Sequence, residues 1–455
     1  MELPEIFIQS IQDAPGFQAA AFMQAHLQTD PSVSIRINPA KFKDAHFSRL
    51  PLSGRVPWNA DGYYLSERPS FTLDPLFHAG AYYVQEASSM FIAEIMQQLN
   101  PQNEPLNVLD LCAAPGGKST LLQSMISKEA LLVSNEVIKT RVNILEENIC
   151  KWGAANVIVT NNDPKDFQRL PGFFDVVVAD APCSGSGLFR KDPEAFSEWS
   201  VKQVDLCAQR QKRILSDMMS CIKENGWLIY STCSYSIEED ETIADWLASE
   251  FMMESVRIEL KPEWQIFESV SPATKAFGYR FYPDRLKGEG FYVAVFRKTK
   301  EEWGLQEYMQ TAFVPLPAKQ LPALEAFSLP AEEVYADRRN QDIYYFQPQM
   351  MEHLPLLMKA LYVKKAGVKL GQLLRDELIP DHALAMSGLV NDEGLKIELD
   401  KAAALDYLRS HPLEVGSFKP GWRLVSYDGV DLGWVKVLKG RVNNYYPKSW
   451  RILNK

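Results

Sequence analysis

Residues 110–120, which read DLCAAPGGKST, join an apolar strand pattern to an apolar helical pattern. The strand pattern is carried by Val108 and Leu109, and the helical pattern starts at Leu121. Small residues and glycines at such a junction let the backbone approach a ligand closely at the N-terminus of a helix. The segment therefore predicts a nucleotide-cofactor loop, and a tight turn that binds nothing is the alternative.

Two familiar phosphate-binding loops do not fit this segment. A P-loop needs a glycine five positions before its final Gly-Lys-Ser/Thr, and Cys112 stands there. The dinucleotide fingerprint G-x-G-x-x-G is also missing, because only Gly116 and Gly117 are present. Glu136 ends the next strand pattern, about 20 residues further on, where an acid can bind a ribose diol. A ribose-binding acid without a pyrophosphate loop predicts S-adenosylmethionine, a nucleoside without phosphates.

Composition narrows the class of protein. The chain has 455 residues, of which 46% are hydrophobic, so we expect about two to four domains with real cores. No apolar run reaches the length of a membrane span, and the first residues lack the layout of a signal peptide. Six scattered cysteines without a C-x-x-C pair argue against a disulfide framework or a metal site. They favour a reducing cytoplasm, so we expect a cytoplasmic protein.

Four units are predicted along the chain. Residues 1–90 combine helical and strand patterns with proline-rich loops, and residues 299–368 hold a linker and a small intermediate domain. Residues 369–455 contain β-like patches separated by glycine turns. Residues 91–298 alternate strand and helix patterns, which predicts an α/β fold with a parallel sheet. The predicted strands there are 107–111, 130–134, 157–160, 174–179, 227–231 and 291–296.

Polar and thiol side chains follow three of these strands. Asp163 follows the third strand, where a carboxylate can accept a hydrogen bond from an adenine amino group. The fourth strand ends at Asp180 with Cys183 close behind, and the fifth ends at Thr232 and Cys233. Ligands of parallel α/β sheets bind at the carboxyl ends of the strands. We therefore expect these side chains to lie together beside the 110–120 loop.

Methylation of C5 of cytosine needs such a set of groups. C5 is a poor nucleophile until a thiolate adds at C6, and an acid near N3 and the 4-amino group then offsets the charge that develops. Methylation of an exocyclic nitrogen needs no thiol, and its usual signature has Pro-Pro-aromatic after the strand-four acid. This chain has Pro182-Cys183 there. From the residues alone, either Cys183 or Cys233 could be the nucleophile.

The net charge of −10 argues against a nucleic-acid partner unless basic residues are gathered in one region. They are gathered near the C-terminus. Basic side chains can neutralise phosphates while interleaved aromatic rings stack on exposed bases. A solvated face over a small β core is the alternative. The basic candidates for RNA contact are Lys436, Lys439, Arg441, Lys448 and Arg451, and the aromatic ones are Trp434, Tyr445, Tyr446 and Trp450.

These motifs resemble those of the NOL1/NOP2/Sun family of RNA cytosine-5 methyltransferases. The resemblance covers most of the chain and rests on residues 110–120, Glu136, residues 180–187, residues 231–234 and Arg36-Ile37-Asn38, which is similar to the family's Arg-x-Asn element. The C-terminal region resembles the PUA-like domain of bacterial members that act on small-subunit ribosomal RNA. The resemblance implies a Rossmann-like methyltransferase core with an N-terminal α+β RNA-binding domain and a C-terminal PUA-like domain.

The resemblance also implies a role for each site residue. Cys233 is expected to attack C6, Cys183 to assist release of the methylated RNA, and Asp180 to contact N3 and the amino group of a flipped cytosine. Arg36 and Asn38 are expected to contact RNA. The residues expected to bind S-adenosylmethionine are Cys112, Ala113, Ala114, Pro115, Gly116, Gly117, Lys118, Glu136, Arg141, Asp163 and Asp180.

The expected substrate is ribosomal RNA, most simply the 16S molecule, or the small ribosomal subunit, bound by a monomer. One departure from the family pattern is Asp284, which stands where many members have histidine after proline. Two other classes of function stay open. A non-catalytic ribosome-assembly factor would keep the RNA-binding tail but lose the two thiols, and both are present. A P-loop ATPase would use Lys118 around phosphate, but the required glycine is missing.

Overall fold

A computed structural model gives the structure of residues 3–28, 30–299, 313–325, 327–329, 332–338, 340–374, 377–414 and 418–453. Residues 300–312 of the predicted linker lie outside the described residues. Within the described ranges, none of the helices is long and apolar enough to cross a bilayer. Short 3-10 helices occupy Asp44–Arg49, Phe71–Leu73, Ser88–Phe91, Pro164–Arg169, Ser186–Leu188, Met219–Cys221, Pro262–Trp264, Ala318–Gln320, Glu393–Leu395 and Lys448–Trp450.

The N-terminal unit is a small antiparallel sheet preceded by two helices. Its elements are α1 (Glu5–Ser10), α2 (Ala19–Gln28), β1 (Val33–Ile37), β2 (Leu52–Arg55), β3 (Gly62–Leu65), α3 (Pro75–His78) and β4 (Tyr82–Val84), with the sheet order β2-β3-β1-β4. The two first helices pack against the catalytic region, because Phe7 contacts Phe189 and Phe22 contacts Tyr235 through edge-on ring pairs. This unit therefore covers the loops that follow Cys183 and Cys233.

The central unit is built on one large sheet with helices on its faces. Its elements are α4 (Ile92–Leu99), β5 (Asn107–Asp110), α5 (Gly117–Met125), β6 (Leu131–Asn135), α6 (Lys139–Trp152), β7 (Val157–Thr160), β8 (Phe174–Asp180), α7 (Pro193–Glu198), α8 (Val201–Met218), β9 (Ile222–Thr232), α9 (Glu241–Glu250), β10 (Glu254–Val256), β11 (Phe267–Val270), β12 (Phe277–Phe281) and β13 (Phe291–Arg297). The strands β5 to β9 are parallel, and β13 runs antiparallel beside β9. The predicted α/β fold is confirmed.

The register of the parallel strands brings their carboxyl ends level with one another. Asp110 at the end of β5 pairs with Ser134 on β6 and Val178 on β8, and Asp180 at the end of β8 pairs with Ser231 on β9. The strands are apolar and buried on both faces, as parallel strands covered by helices are. The loops after these strands therefore meet at one edge of the sheet.

The predicted intermediate domain is partly built into the central unit. The elements that follow β13 are β14 (Phe313–Pro315), α10 (Pro322–Glu325), β15 (Val334–Asp337), β16 (Asp342–Tyr345), α11 (Pro348–Ala360), β17 (Val363–Ala366), β18 (Val368–Leu374) and β19 (Glu377–Pro380). Strand β17 pairs antiparallel with β7 and extends the central sheet. The other strands form a separate sheet in the order β14-β15-β16-β18-β19. The boundary predicted at residue 369 cuts β18, so we propose a boundary after β19 instead.

The C-terminal unit packs against the N-terminal one. Its elements are α12 (His382–Met386), β20 (Lys396–Glu398), α13 (Lys401–Leu408), β21 (Gly421–Tyr427), β22 (Val430–Leu438) and β23 (Arg441–Asn444), with the sheet order β20-β21-β22-β23. Side chains of both units share one buried apolar cluster, which includes Ile35, Leu76, Val425 and Val435. The amine of Lys43 also donates to the carbonyl of Gly429 at 2.8 Å.

Candidate active site

Asp180 is held by two neighbours at the carboxyl edge of the sheet. The Lys118 Nζ atom lies 2.7 Å from Asp180 Oδ2, and the Ser231 hydroxyl donates to Asp180 Oδ1 at 2.8 Å. Burial lowers the pKa of Lys118, but attraction to Asp180 outweighs this and the net pKa is raised. The ammonium group thus stays charged, and the carboxylate is fixed in direction while about 30% of its side chain remains exposed.

The two predicted catalytic cysteines lie side by side. Their sulfur atoms are 3.0 Å apart, and both residues are partly exposed. The adjacent parallel strands β8 and β9 account for this closeness, since Cys183 follows one and Cys233 the other. The hydrogen bond to Cys233 and burial together raise the pKa of Cys183 well above its ordinary value.

Glycine at position 187 permits the two cysteine loops to approach each other. The Gly187 amide donates to the Cys233 carbonyl at 2.8 Å, and the Gly290 amide donates to the Gly187 carbonyl at 3.1 Å. A Cβ atom at Gly187 would lie 2.5 Å from the Gly290 carbonyl oxygen and 2.8 Å from that of Cys233. Any larger residue would therefore push these backbones apart.

Glu239 is a site residue that the sequence analysis missed. It is fully buried and accepts hydrogen bonds from the hydroxyls of Ser184 and Ser234, both at 2.6 Å. The Ser184 amide donates to its other oxygen at 2.8 Å, and Gln211 donates to that oxygen at 3.3 Å. Burial raises the pKa of Glu239. A run of four acids at 238–241, shortly after the Thr-Cys-Ser element, was the available signal.

The next two acids anchor the Cys233 loop from its other side. Asp240 accepts a hydrogen bond from the Thr232 hydroxyl at 2.7 Å, and its second oxygen lies 3.1 Å from Arg280 Nη2. The buried Arg280 also forms an ion pair with Glu241 and donates to the Tyr235 carbonyl at 3.0 Å. Charges removed from water need partners, and here each has one. The backbone on both sides of Cys233 is therefore tied to helix α9 and strand β12.

The 110–120 loop turns from β5 into α5 as predicted. Asp110 is fully buried and accepts a hydrogen bond from Ser119 at 2.7 Å, and burial raises its pKa to about 7. Its Oδ1 atom has no hydrogen-bond partner among the described residues. Gly116 caps α5 with a φ of 118°, a conformation that favours glycine. Burial also raises the pKa of Cys112.

The acids predicted to bind a nucleoside lie on the same edge. Glu136 is buried, accepts a hydrogen bond from the Ile138 amide at 2.8 Å and lies 3.4 Å from Arg141. The half-exposed Arg141 also donates to the Ala114 carbonyl at 2.6 Å, so it joins Glu136 to the loop. Asp163 caps the 3-10 helix Pro164–Arg169 and remains partly exposed. Their cofactor-binding roles stay predictions.

Arg36 and Asn38 require a correction, because both are buried and hold the N-terminal unit to the central one. Arg36 donates to Gln85 at 2.9 Å and to Thr120 at 2.5 Å, and its guanidinium lies over the Trp152 ring. Asn38 donates to the carbonyls of Gly80 and Trp152, both at 3.0 Å. Side chains engaged in this way are not presented to RNA, so the predicted direct contact is wrong in this structure.

The C-terminal basic residues divide into two groups. Lys439, Arg441, Lys448 and Arg451 are exposed, as RNA contacts require. Lys436 instead pairs with Glu377 at 2.7 Å and lies over the Trp422 ring.

The predicted stacking aromatics also divide. Trp434 and Tyr446 are buried in apolar clusters, so their predicted stacking on bases is wrong here. Tyr445 is exposed and Trp450 is partly so.

Asp284, the departure from the family pattern, lies in the loop between β12 and β13. Burial raises its pKa, and its neighbour Arg285 donates to the Gly16 carbonyl at 2.7 Å. Tyr282, at the start of the same loop, donates to the Pro15 carbonyl at 2.9 Å. The loop thus contacts the N-terminal unit near the cysteine loops.

Three family models match the chain in order. Residues 3–87 match the N-terminal domain of 16S rRNA methyltransferase RsmF, residues 96–297 match 16S rRNA methyltransferase RsmB/F, and residues 395–452 match the methyltransferase RsmF PUA domain. Solved structures are similar over the central part. A methyltransferase homologue protein from Pyrococcus horikoshii has a TM-score of 0.54 and 26% identity, covering 65% of this chain and 95% of its own. NSun6 from the same organism, crystallised with SFG, has a TM-score of 0.54 and 19% identity over 66% of this chain and 99% of its own, which supports the fold alone.

Curated relatives are similar along the whole chain. The ribosomal RNA small subunit methyltransferase F of Aeromonas salmonicida is 30% identical over 483 residues, covering 98% of this chain and 97% of its own length. The protein of the same name from Shewanella loihica is 29% identical over 473 residues, covering 99% and 95%. The resemblance drawn from the motifs is thereby confirmed. The chain belongs to the RsmF family of 16S ribosomal RNA methyltransferases.

Proposed function

We propose that this methyltransferase transfers a methyl group from S-adenosylmethionine to C5 of a cytosine in 16S ribosomal RNA, through a transient bond between Cys233 and C6. The observation that carries the proposal is the 3.0 Å separation of the Cys183 and Cys233 sulfurs. They follow the strand tips next to Asp180, whose carboxylate is fixed by Lys118. A ribosome-assembly factor without catalysis would need neither paired thiols nor an oriented acid.

The residues at the strand ends fit a nucleoside donor. The unpartnered Oδ1 of Asp110 is buried and interacts electrostatically with Lys118, Asp180 and Glu136, so it lies within the same polar cluster. The residues that would hold the donor are Cys112, Ala113, Ala114, Pro115, Gly116, Gly117, Lys118, Glu136, Arg141 and Asp163. The bound donor supplies an electrophilic methyl group on a sulfonium.

The first step belongs to Cys233. Its thiolate forms a bond to C6, and the electrons of the C5–C6 double bond then make C5 nucleophilic. Lys118 interacts electrostatically with Cys233, so its ammonium group helps to hold negative charge there. Asp180, held by Lys118 and Ser231, contacts N3 and the 4-amino group and orients the ring, while the paired Lys118 ammonium offsets the negative charge that develops there.

The last step returns the enzyme to its starting state. After methyl transfer, the C5 proton passes to solvent water, and the electrons of the C5–H bond re-form the C5–C6 double bond. The C6–sulfur bond breaks with its electron pair on sulfur, so that Cys233 leaves as a thiolate. Cys183 lies at hydrogen-bond distance from the departing sulfur and assists this release. Its raised pKa keeps it a thiol, whose S–H can donate a hydrogen bond to that departing thiolate.

The proposal is tested by replacing each cysteine in turn. Cys233→Ala should abolish methylation of 16S ribosomal RNA while leaving S-adenosylmethionine affinity nearly unchanged. Cys183→Ala should accumulate a protein–RNA adduct that survives denaturing electrophoresis. Cys207→Ala, which removes a buried thiol from α8, is the matched control and should keep turnover. Normal C5 methylation by Cys233→Ala, read by bisulfite sequencing, would overturn the nucleophile assignment.

The RNA-binding face that we propose consists of Lys439, Arg441, Lys448 and Arg451. These exposed cations lie on the C-terminal unit without an acid among residues 434–455 of the sequence. Access of the active-site groups to C5 and C6 requires that the target cytosine leave its stack. The cations then serve to neutralise phosphates on either side of that base. Action as a monomer belongs to the same proposal.

A further inference from the structure

Glu239 contacts both loops that carry the catalytic cysteines. Ser184 follows Cys183 and Ser234 follows Cys233, and both hydroxyls donate to the same carboxylate oxygen of Glu239 at 2.6 Å. The Ser184 amide adds a third hydrogen bond of 2.8 Å to the other oxygen. One carboxylate thus binds the residue after each cysteine.

The hydrogen bonds of the Glu239 carboxylate all involve groups around the cysteine loops. It is fully buried, and among the residues that the structure describes its carboxylate lies between Ser184, Ser234 and Gln211. The hydroxyls of Ser184 and Ser234 lie 3.4 Å apart because they share this acceptor. Burial of a carboxylate is costly unless hydrogen bonds compensate for the lost water. Here the compensating bonds hold the two cysteine loops in a fixed geometry.

We propose that Glu239 is a positioning residue, which sets the separation of the Cys183 and Cys233 sulfurs by binding the residue after each. This inference rests on the proposed two-cysteine mechanism. In that mechanism both sulfurs act on one base in succession. A wrong spacing of the sulfurs therefore slows the chemical steps and does not weaken binding of RNA or the methyl donor. Glu239 itself does not touch RNA or the methyl donor.

The electrostatic contacts agree with this role. The pKa of Cys183 is raised by its hydrogen bond to Cys233 first, by burial second, and further by the charges of Cys233 and Glu239. The same carboxylate that fixes the loop therefore also favours the thiol form of Cys183. That form is the one that can donate a hydrogen bond to the departing sulfur.

Substitution of Ser184 or Ser234 tests the effect of Glu239 on one cysteine loop at a time. Ser234→Ala frees the Cys233 loop, so it should slow formation of the RNA adduct and lower turnover about tenfold, as expected when a charged hydrogen bond is lost. Ser184→Ala frees the Cys183 loop, so it should slow release and raise the fraction of protein trapped as adduct. Both should leave the Kd for S-adenosylmethionine and the KM for RNA nearly unchanged. A purely structural role would not move the adduct fraction in opposite directions.

Ser426→Ala is the matched control. Ser426 is buried and donates to the carboxylate of Glu398 at 2.8 Å on the C-terminal unit, away from the cysteine loops. It should keep the turnover and adduct fraction of the parent chain. Glu239→Gln, which has one acceptor oxygen fewer, should combine the defects of both serine variants. If Glu239→Gln does not fold, the two serine variants alone test the positioning role.

The measurement is single-turnover methylation of 16S ribosomal RNA by the full chain, with the adduct quantified on denaturing gels. The positioning role is wrong if Ser184→Ala and Ser234→Ala both behave like Ser426→Ala while Cys233→Ala is inactive. Methylation by Cys233→Ala at the parent rate would instead show that the proposed mechanism itself fails.

Discussion

Lys118 and Asp180 form an ion pair of 2.7 Å between the start of α5 and the end of β8, and so connect the 110–120 loop to the strand tip beside the cysteines. Lys118→Met removes the charge that fixes Asp180, so turnover should fall about 100-fold, the scale seen when a stabilising donor is lost from a catalytic site. The measurement is kcat on 16S ribosomal RNA together with the affinity for S-adenosylmethionine.

Lys223→Met is the matched control for Lys118. Lys223 on β9 pairs with Asp175 on β8 at the same distance of 2.7 Å, at the amino ends of these two strands. Its loss should change stability slightly and leave kcat unchanged, because a partly exposed pair contributes about 0–1 kcal/mol. Equal losses of kcat in both variants would contradict a specific role for the Lys118–Asp180 pair.

The buried Asp110 predicts a pH dependence of stability. Burial raises its pKa to about 7, so the folded chain binds a proton that the unfolded chain, with a pKa of about 3.9, releases. Stability therefore falls as pH rises through this window. Asp110→Asn removes the titration and should gain stability relative to the parent chain between about pH 5 and pH 8, by about 3 kcal/mol. Urea unfolding at both pH values measures this difference, and a constant gap between the two chains would contradict it.

Arg36 should support stability and cofactor binding rather than RNA binding. Arg36→Met breaks hydrogen bonds to Gln85 and Thr120, so it should lower stability by about 2–4 kcal/mol and weaken S-adenosylmethionine binding through α5. Arg441→Met, on the exposed C-terminal face, should instead weaken RNA binding and reduce its salt slope by about one. Calorimetry with the donor and filter binding with RNA distinguish the two. An unchanged affinity of Arg36→Met for S-adenosylmethionine would contradict this prediction.

Gly187 should tolerate no side chain. An alanine Cβ would lie 2.5 Å from the Gly290 carbonyl oxygen, so Gly187→Ala must move the backbone next to Cys233. We expect kcat to fall about 100-fold, as misplacement of a reacting group by about 1 Å does. Gly394→Ala, in a 3-10 helix of the C-terminal unit, is the control and should remain active. Steady-state kinetics of both variants decide the matter.

The central sheet could be predicted because each parallel strand is a short apolar run followed by a loop signal. The predicted strand 157–160 is found unchanged, and 174–179 is one residue longer. Strand β9 starts at Ile222, earlier than predicted, because the chain keeps pairing through an irregular register and a positive φ at Asn225. A local pattern reads Asn-Gly as a turn and cannot foresee such pairing.

Long-range contacts explain what the sequence did not reveal. Strand β17 contains two lysines and extends the central sheet only because β7 is its neighbour. In the sequence, Arg36 has the pattern of a surface cation. In the fold it donates hydrogen bonds to Gln85 and Thr120, which lie far along the chain. The acid run at 238–241 gave a signal, but the role of Glu239 depends on two loops that meet only in the fold.

The apolar cluster shared by the first and last units has a consequence for synthesis of the chain. Residues such as Ile35 and Leu76 leave the ribosome early, but their partners Val425 and Val435 follow only at the end. Until then the early sheet exposes part of its hydrophobic surface. Completion of this interface must therefore await translation of the final residues, and removal of the C-terminal unit would leave a shortened product prone to aggregation.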